Sequence, residues 1–291
     1  MQRIIAQSAM EYLMTYGWAF LVIAVVLGIF YQLGLFGSFT STPKASSGSC
    51  TVFRQPAITS LVGQCAGLNP QFKLNFSQSP AGTVTANVVK SSSSQITVAF
   101  WIYPQDNGFY GNALNYWQAA VGGGSLAGAC AGASYYFYIE TGTNPPRESW
   151  SIASSRNFPV KNLVLNTWQQ LVGTFDGSNL IVYYNGAQVG PTVAANGNVL
   201  GTYPKMTISG PADTAVAHGC NPVSGSLSNL QIYNTSLSAA EVQGLYREGL
   251  GGPPVQLQNL IGWWQLNGNL NDYSGNNQNG AAFNSIFYKP T

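Results

Sequence analysis

Charge is the scarcest property of this chain. Of 291 residues, 7% are Asp, Glu, Lys or Arg and the formal net charge is +2, against about a quarter charged in ordinary globular proteins. No block of Lys or Arg could gather phosphates, which removes a nucleic-acid partner held by electrostatics. Histidine is nearly absent: His218 stands alone, and none of the four cysteines forms a C-x-x-C pair. A zinc site therefore lacks its ligands. His218 has no Ser or Cys in a recognisable nucleophile motif, so no triad can be drawn. Hydrophobic residues, by contrast, make up 45%, and with so few charges the surface must be solvated by the amides and hydroxyls of Asn, Gln, Ser and Thr.

The even cysteine count, with no metal partner, reads as disulfides formed in an oxidising exterior; four buried thiols in a cytosolic protein are the alternative. The first apolar run points outward as well. From Leu13 to Phe36 no charge occurs, and as a helix at about 1.5 Å per residue this run would span about 36 Å, against a hydrocarbon core of about 30 Å. It is longer than the roughly 7–15 apolar residues of a cleaved secretory signal, which is the alternative reading. Tyr12, Tyr16, Trp18 and Tyr31 lie toward its ends, where amphipathic rings favour the interface. One carboxylate, Glu11, stands just ahead of it.

The run QSAMEYLMTYGWAFLVIAVVLG, Gln7 to Gly28, resembles the class III signal peptides of archaeal type IV pilin-like proteins. In that family a membrane peptidase cuts before the Gln and leaves the helix on the mature chain. The resemblance implies a leader at 1–6, a cut between Ala6 and Gln7, and a pilin-like hydrophobic helix at 7–37. Glu11 would then be an assembly residue, meeting the new amine of a neighbouring subunit.

Beyond a Ser/Thr-rich stretch at 38–49, read as a linker, the chain is written almost entirely in strands. ITVAFWIY (96–103), YYFYIE (135–140), WQQLVGTF (168–175), NLIVYYN (179–185) and SNLQIYN (228–234) are rich in β-branched and aromatic residues and bounded by turn formers. Asp176-Gly177 and Asn185-Gly186 suit tight hairpins. The second helix expected is SLSAAEVQGLYREG, with Ser238 and Glu241 as a capping box and Gly249 as its stop.

TVAFWI (97–102), WQQLVGTFDG (168–177), LIVYYNG (180–186) and GSLSNLQIYNTSLSAAEV (225–242) together resemble the laminin G-like, concanavalin A-like lectin/glucanase superfamily. The fold expected is an all-β jelly-roll sandwich preceded by a single N-terminal α-helix of transmembrane length. Residues 95–249 form its body, 50–94 a β-rich approach region of unassigned family, and 250–291 a tail. The tail string LIGWWQLNGNLNDYSGNNQNGAAF (260–283) looks like the first strand and loop of such domains, here at the end; it is expected to complete the sandwich, with donation to a neighbouring subunit as the alternative.

Proximity suggests the pairs Cys50–Cys65 and Cys130–Cys220, among the three pairings that four cysteines allow. Glucanases on this fold carry an E-x-D-x-E string, because retaining hydrolysis needs two carboxylates about 5 Å apart. None of the nine acids here falls in that pattern, so no enzyme is expected. Relatives often bind calcium, which names Asp213, Asn271 and Asp272 as candidate ligands, although turn chemistry explains all three more simply. Asn75 and Asn234 head glycosylation sequons. Phe100, Trp101, Trp168 and Tyr183 are read as core, and the pair Trp263-Trp264 as one ring inward and one available.

The functional expectation is a surface-exposed pilin-like filament subunit or adhesin with a glycan-binding outer domain. It would sit in the cell membrane and associate with copies of itself through the N-terminal helix. A single-span anchored lectin-like receptor that does not polymerise is the alternative, and an anchored glycan hydrolase a third.

Overall fold

The computed structural model describes residues 3–32, 44–67, 69–76, 83–87, 94–105, 117–124, 133–140, 147–152, 155–157, 162–195, 205–209, 220–223, 225–283 and 286–290. Two compact units result, Met1–Pro43 and Lys44–Thr291. The first contains helix α1, Arg3–Gln32, which begins ahead of the expected cut. Of its side chains, Met14 and the run Tyr16–Ile29 are described, all exposed. Among the described residues no helix is long and apolar enough to cross a membrane.

The second unit is a sandwich. Its strands in chain order are β1 (Lys44–Ala45), β2 (Cys50–Gln55), β3 (Ile58–Gly63), β4 (Asn69–Pro70), β5 (Phe72–Phe76), β6 (Thr83–Asn87), β7 (Ile96–Pro104), β8 (Trp117–Gly124), β9 (Ala133–Glu140) and β10 (Arg147–Ile152). They continue as β11 (Ser155–Asn157), β12 (Gln169–Phe175), β13 (Asn179–Tyr184), β14 (Ala187–Ala194), β15 (Lys205–Ile208), β16 (Cys220–Pro222), β17 (Gly225–Tyr233), β18 (Leu260–Trp264), β19 (Ala281–Phe283) and β20 (Ile286–Pro290). One sheet runs β11-β10-β9-β8-β15-β6-β19 with β16 on β8; the other runs β14-β13-β12-β7-β17-β5-β20 with β18 on β17.

The strand boundaries follow the local chemistry. Asn185 and Gly186 both take positive φ, 49° and 78°, the pair of values that lets a two-residue loop match the twist of β13 and β14. Helix α2, Ala239–Glu248, is capped as its sequence dictates: the Ser238 hydroxyl accepts from the Glu241 N–H, Glu241 accepts from the Ser238 N–H, and Gly249 closes the end at φ 82°. Gln256 also donates to the Glu241 carboxylate. That bond, helped by those from Ser238, holds the carboxyl below its ordinary pKa against a smaller opposing effect of burial.

The main core lies between the sheets. Phe137 packs against Trp150 with ring centroids 4.7 Å apart and edge-on against Phe100 at 5.1 Å. These rings lie on Gly173 of β12, where a Cβ would stand 2.5 Å from Trp150 and 2.7 Å from Phe137. Glycine is the residue that admits such close approach.

A second core covers the other face of the β7/β12/β17 sheet. There Val172, Tyr183, Tyr233 and Trp263 pack under Val242 and Leu245 of α2 and Val52 of the β2–β3 hairpin. The two tryptophans of β18 do point to opposite faces, but both are fully buried: Trp264 joins the main core and Trp263 the second. Neither ring is available, because the hairpin and α2 form a third layer that single-strand alternation cannot reveal.

The tail enters both sheets. β18 pairs antiparallel with β17, β20 with β5 and β19 with β6. Residues 44–49, expected to be linker, are instead ordered against it: β1 pairs with β4, the Ser47 hydroxyl is 3.0 Å from the Tyr273 hydroxyl, and the Gly48 N–H donates to Gln265. Their backbone groups find partners that a solvated stalk would have to find in water. The Cys50–Cys65 disulfide is formed. It ties the two ends of the hairpin, which Arg54 clamps to the tail by donating to the carbonyls of Ser274, Leu257 and Leu260.

Candidate functional site

Alternation along β7 sends Phe100 and Ile102 into the main core and Trp101 and Tyr103 to the opposite face. Trp168, immediately before β12, lies beside Tyr103, since Gln169 registers with Ile102. Contrary to the core reading, Trp168 is only partly buried, as is Tyr103. The third layer stops short of this end of the sheet, so both rings border solvent. They meet edge to face at 5.5 Å.

Lys73 of β5 completes the group. Its Nζ lies 4.2 Å from the Tyr103 ring centroid and 5.8 Å from that of Trp168, within the range where an ammonium is attracted to an aromatic face. Burial lowers the pKa of Lys73, and the charge of Lys289, directly across on β20, lowers it further. On the same face Trp101 stacks on Tyr246 of α2 at 5.8 Å and 19°. Buried Gln170, cross-strand from Trp101, has an Oε1 without a hydrogen-bond partner.

The floor beside the rings is set by Asn75. It is 8% exposed, and its Nδ2 donates to Gln105 Oε1, the Gly225 carbonyl and Ser226 Oγ, each at 3.1 Å. The nitrogen that a glycan would occupy is thus committed inside the fold, which corrects the reading of Asn75 as a glycosylation site. Asn234 is partly buried; its N–H donates to the Asn259 carbonyl and its Oδ1 is buried without a partner.

Asp272 does not fit a calcium ion. Its Oδ1 accepts from the N–H groups of Trp263 and Ser274, and its Oδ2 from Ser274 Oγ and the Gln278 N–H, all at 2.9–3.0 Å. Four donors already occupy the lone pairs that a hard cation would need. Asn271 is exposed, with its N–H bonded to Asn269. Asp213 lies outside the described residues, and among those described no three His, Cys, Asp or Glu side chains converge.

Asp176 serves its turn in the same way: burial raises its pKa, but bonds from the Asn179 amide and the Ser178 and Asn179 N–H groups outweigh it and hold the carboxyl below its ordinary value. Cys130 and the side chains of Ala6, Gln7, Glu11 and Cys220 lie outside those described, so the Cys130–Cys220 pairing and the cut fall there too.

A concavity of about 360 Å³, including space open to solvent, runs along the seam between residues 45–50 and the sandwich. Its amides are already spent: Gln265 donates to the Cys50 carbonyl, while Asn267 donates to the Ala45 carbonyl and accepts from the Phe72 N–H. It holds the chain together and leaves few free polar groups.

The Trp168–Tyr103–Lys73 group was not singled out from the sequence, because its members come from β5, β7 and the residue before β12, and only the sheet register joins them. The signal that could have found it is the placement of Tyr103, Trp168 and Lys73 at strand ends, away from the α2 and hairpin cover.

A laminin G-type family model, concanavalin A-like lectin/glucanases superfamily, matches residues 77–243, beginning ahead of Gln95. No curated protein matches the chain by sequence. Among solved structures, the native heptameric SAP-like pentraxin of Limulus polyphemus is similar with a TM-score of 0.55 and 16% identity, over 76% of this chain and 96% of that one. A Bacteroides ovatus protein whose carbohydrate binding is itself only proposed is similar at 0.54 and 17%, over 80% of this chain and 66% of that one. At such identities the likeness shows the fold alone.

Proposed function

The chain belongs to the concanavalin A-like lectin/glucanases superfamily, and from that premise we propose that it is a non-catalytic carbohydrate-binding module displayed at a cell surface. The partly buried Trp168–Tyr103 pair with Lys73 beside it carries this reading. Exposed ring faces flanked by a few polar groups are what a sugar requires, one face for its C–H groups and donors for its hydroxyls. A binder is favoured over a hydrolase by the acids: Asp176, Glu241 and Asp272 each serve a turn or a cap, and the sequence has no E-x-D-x-E string. The test is a glycan array probed with the full chain in calcium and in chelator. Signals that persist in chelator are expected, since Asp272 does not fit the ion; silence across the array would overturn the reading.

The display part of the proposal rests on the sequence. The string Gln7 to Gly28 and the charge-free run Leu13–Phe36 support a class III leader of the archaeal pilin-like kind, insertion of α1 into the cell membrane, and association of copies through it. N-terminal sequencing of the chain from its native surface is expected to begin at Gln7. An intact Met1 would remove the filament reading and leave a tethered receptor.

A further inference from the structure

Lys73 and Lys289 sit directly opposite each other on β5 and β20. Like charges so placed destabilise a sheet, and among the described residues neither has a carboxylate partner. Each could have been spaced by one residue to face away; instead both side chains share the face that carries Tyr103 and Trp168. A neutral sugar needs the rings but not this repulsion. An anion placed between the two ammonium groups would relieve it.

The geometry points to an acidic glycan as the ligand, specifically one whose sugar ring carries its carboxylate directly, as a hexuronic acid does. This rests on the carbohydrate-binding reading and narrows it. The pyranose lies along the solvent-bordering edge of the partly buried Trp168 ring, and its carboxylate meets Lys73, whose Nζ is 5.8 Å from that ring's centroid and 4.2 Å from that of Tyr103. A cation this near both rings matches an anion attached to the sugar ring itself. The partly buried ammonium makes a stronger charge-assisted bond than a fully hydrated lysine would. Lys289, exposed at the rim, adds long-range attraction that salt screens. No metal ion is needed to hold the acid.

The experiment compares binding of the full chain to polygalacturonate and to the same polymer after carboxyl reduction, at low and high salt, with sulfated dextran as a third ligand. Polygalacturonate is expected to bind at least about tenfold more tightly than the reduced polymer. Raising the salt is expected to narrow the gap. Lys73→Met and Trp168→Ala are each expected to abolish the preference. Equal binding of the two polymers would overturn the acidic ligand and leave the carbohydrate-binding reading standing; binding of neither would overturn both. A preference for sulfated dextran over polygalacturonate, or a preference untouched by both substitutions, would overturn the carboxylate or the site. Should either variant fail to fold, the comparison of the two polymers on the unaltered chain still decides.

Discussion

A chain ending at Gly252 is expected to lose its cooperative thermal melt. The missing segment carries β18, β19 and β20, which pair with β17, β6 and β5. Leu260, Ile261, Trp263, Trp264 and Leu266 are each at most 5% exposed. At about 1.5–3 kcal/mol for each buried apolar side chain, their loss removes about 8–15 kcal/mol, as much as the whole net stability of a typical domain. Two sheets would also gain bare edges, since β5 loses β20 in one and β6 loses β19 in the other. Circular dichroism against temperature is the measurement. A cooperative melt at the full chain's midpoint would show that these strands are accessory. Recovery of the melt on adding the 253–291 segment as a peptide is expected, because all its contacts here are non-covalent.

Trp263→Ala is expected to cost about 3–5 kcal/mol, as deletion of a buried aromatic side chain does, and to lower the melting temperature by roughly ten degrees. The ring is 0% exposed, meets Tyr273 edge-on at 6.3 Å, and donates from Nε1 to Asn229 Oδ1 at 2.7 Å. Asn229 belongs to a buried chain of polar groups: its Nδ2 donates to the Gly252 carbonyl, Gln231 donates to its Oδ1, and the Tyr233 hydroxyl donates to Gln231 Oε1 at 2.6 Å. Burial pushes the Tyr233 phenol well above its ordinary pKa, so it stays a neutral donor. Removing the indole opens a cavity and strips one partner from this chain at once, and such networks lose more than single bonds suggest. Trp263→Phe keeps most of the volume and should lose about 1–3 kcal/mol, the cost of one buried group left short of a partner. Trp168→Ala, at a partly exposed ring, is expected to melt close to the parent chain. Equal losses at Trp263 and Trp168 would contradict the layered structure.

The strands and their faces were legible where local chemistry decides them. Ile96–Pro104, Gln169–Phe175 and Asn179–Tyr184 fall within a residue or two of their sequence readings, because β-branched runs and the Asn185-Gly186 turn need no distant help. The capping box at Ser238 and Glu241 was legible for the same reason. Periodicity says that Trp263 and Trp264 face apart; it cannot say that a hairpin some two hundred residues upstream will close over one of them. Nor does it place Lys73 against Tyr103 and Trp168, since that contact is fixed by β17 lying between β5 and β7. Asn75 shows the same gap from the other side. A sequon is a string of three residues, whereas burial of its nitrogen depends on Gly225 and Ser226, supplied by a strand 150 residues later.

The disulfide near the start of the sandwich has a mechanical meaning. Tension applied to the chain at Lys44 reaches Cys50 and crosses the sulfur bond to Cys65, so residues 51–64 carry no load. The hairpin held by Arg54 therefore cannot be peeled from the tail by a pull on that end; the force passes on to β4 and to β5, which has neighbours on both sides. Under a pull from that end the third layer stays seated.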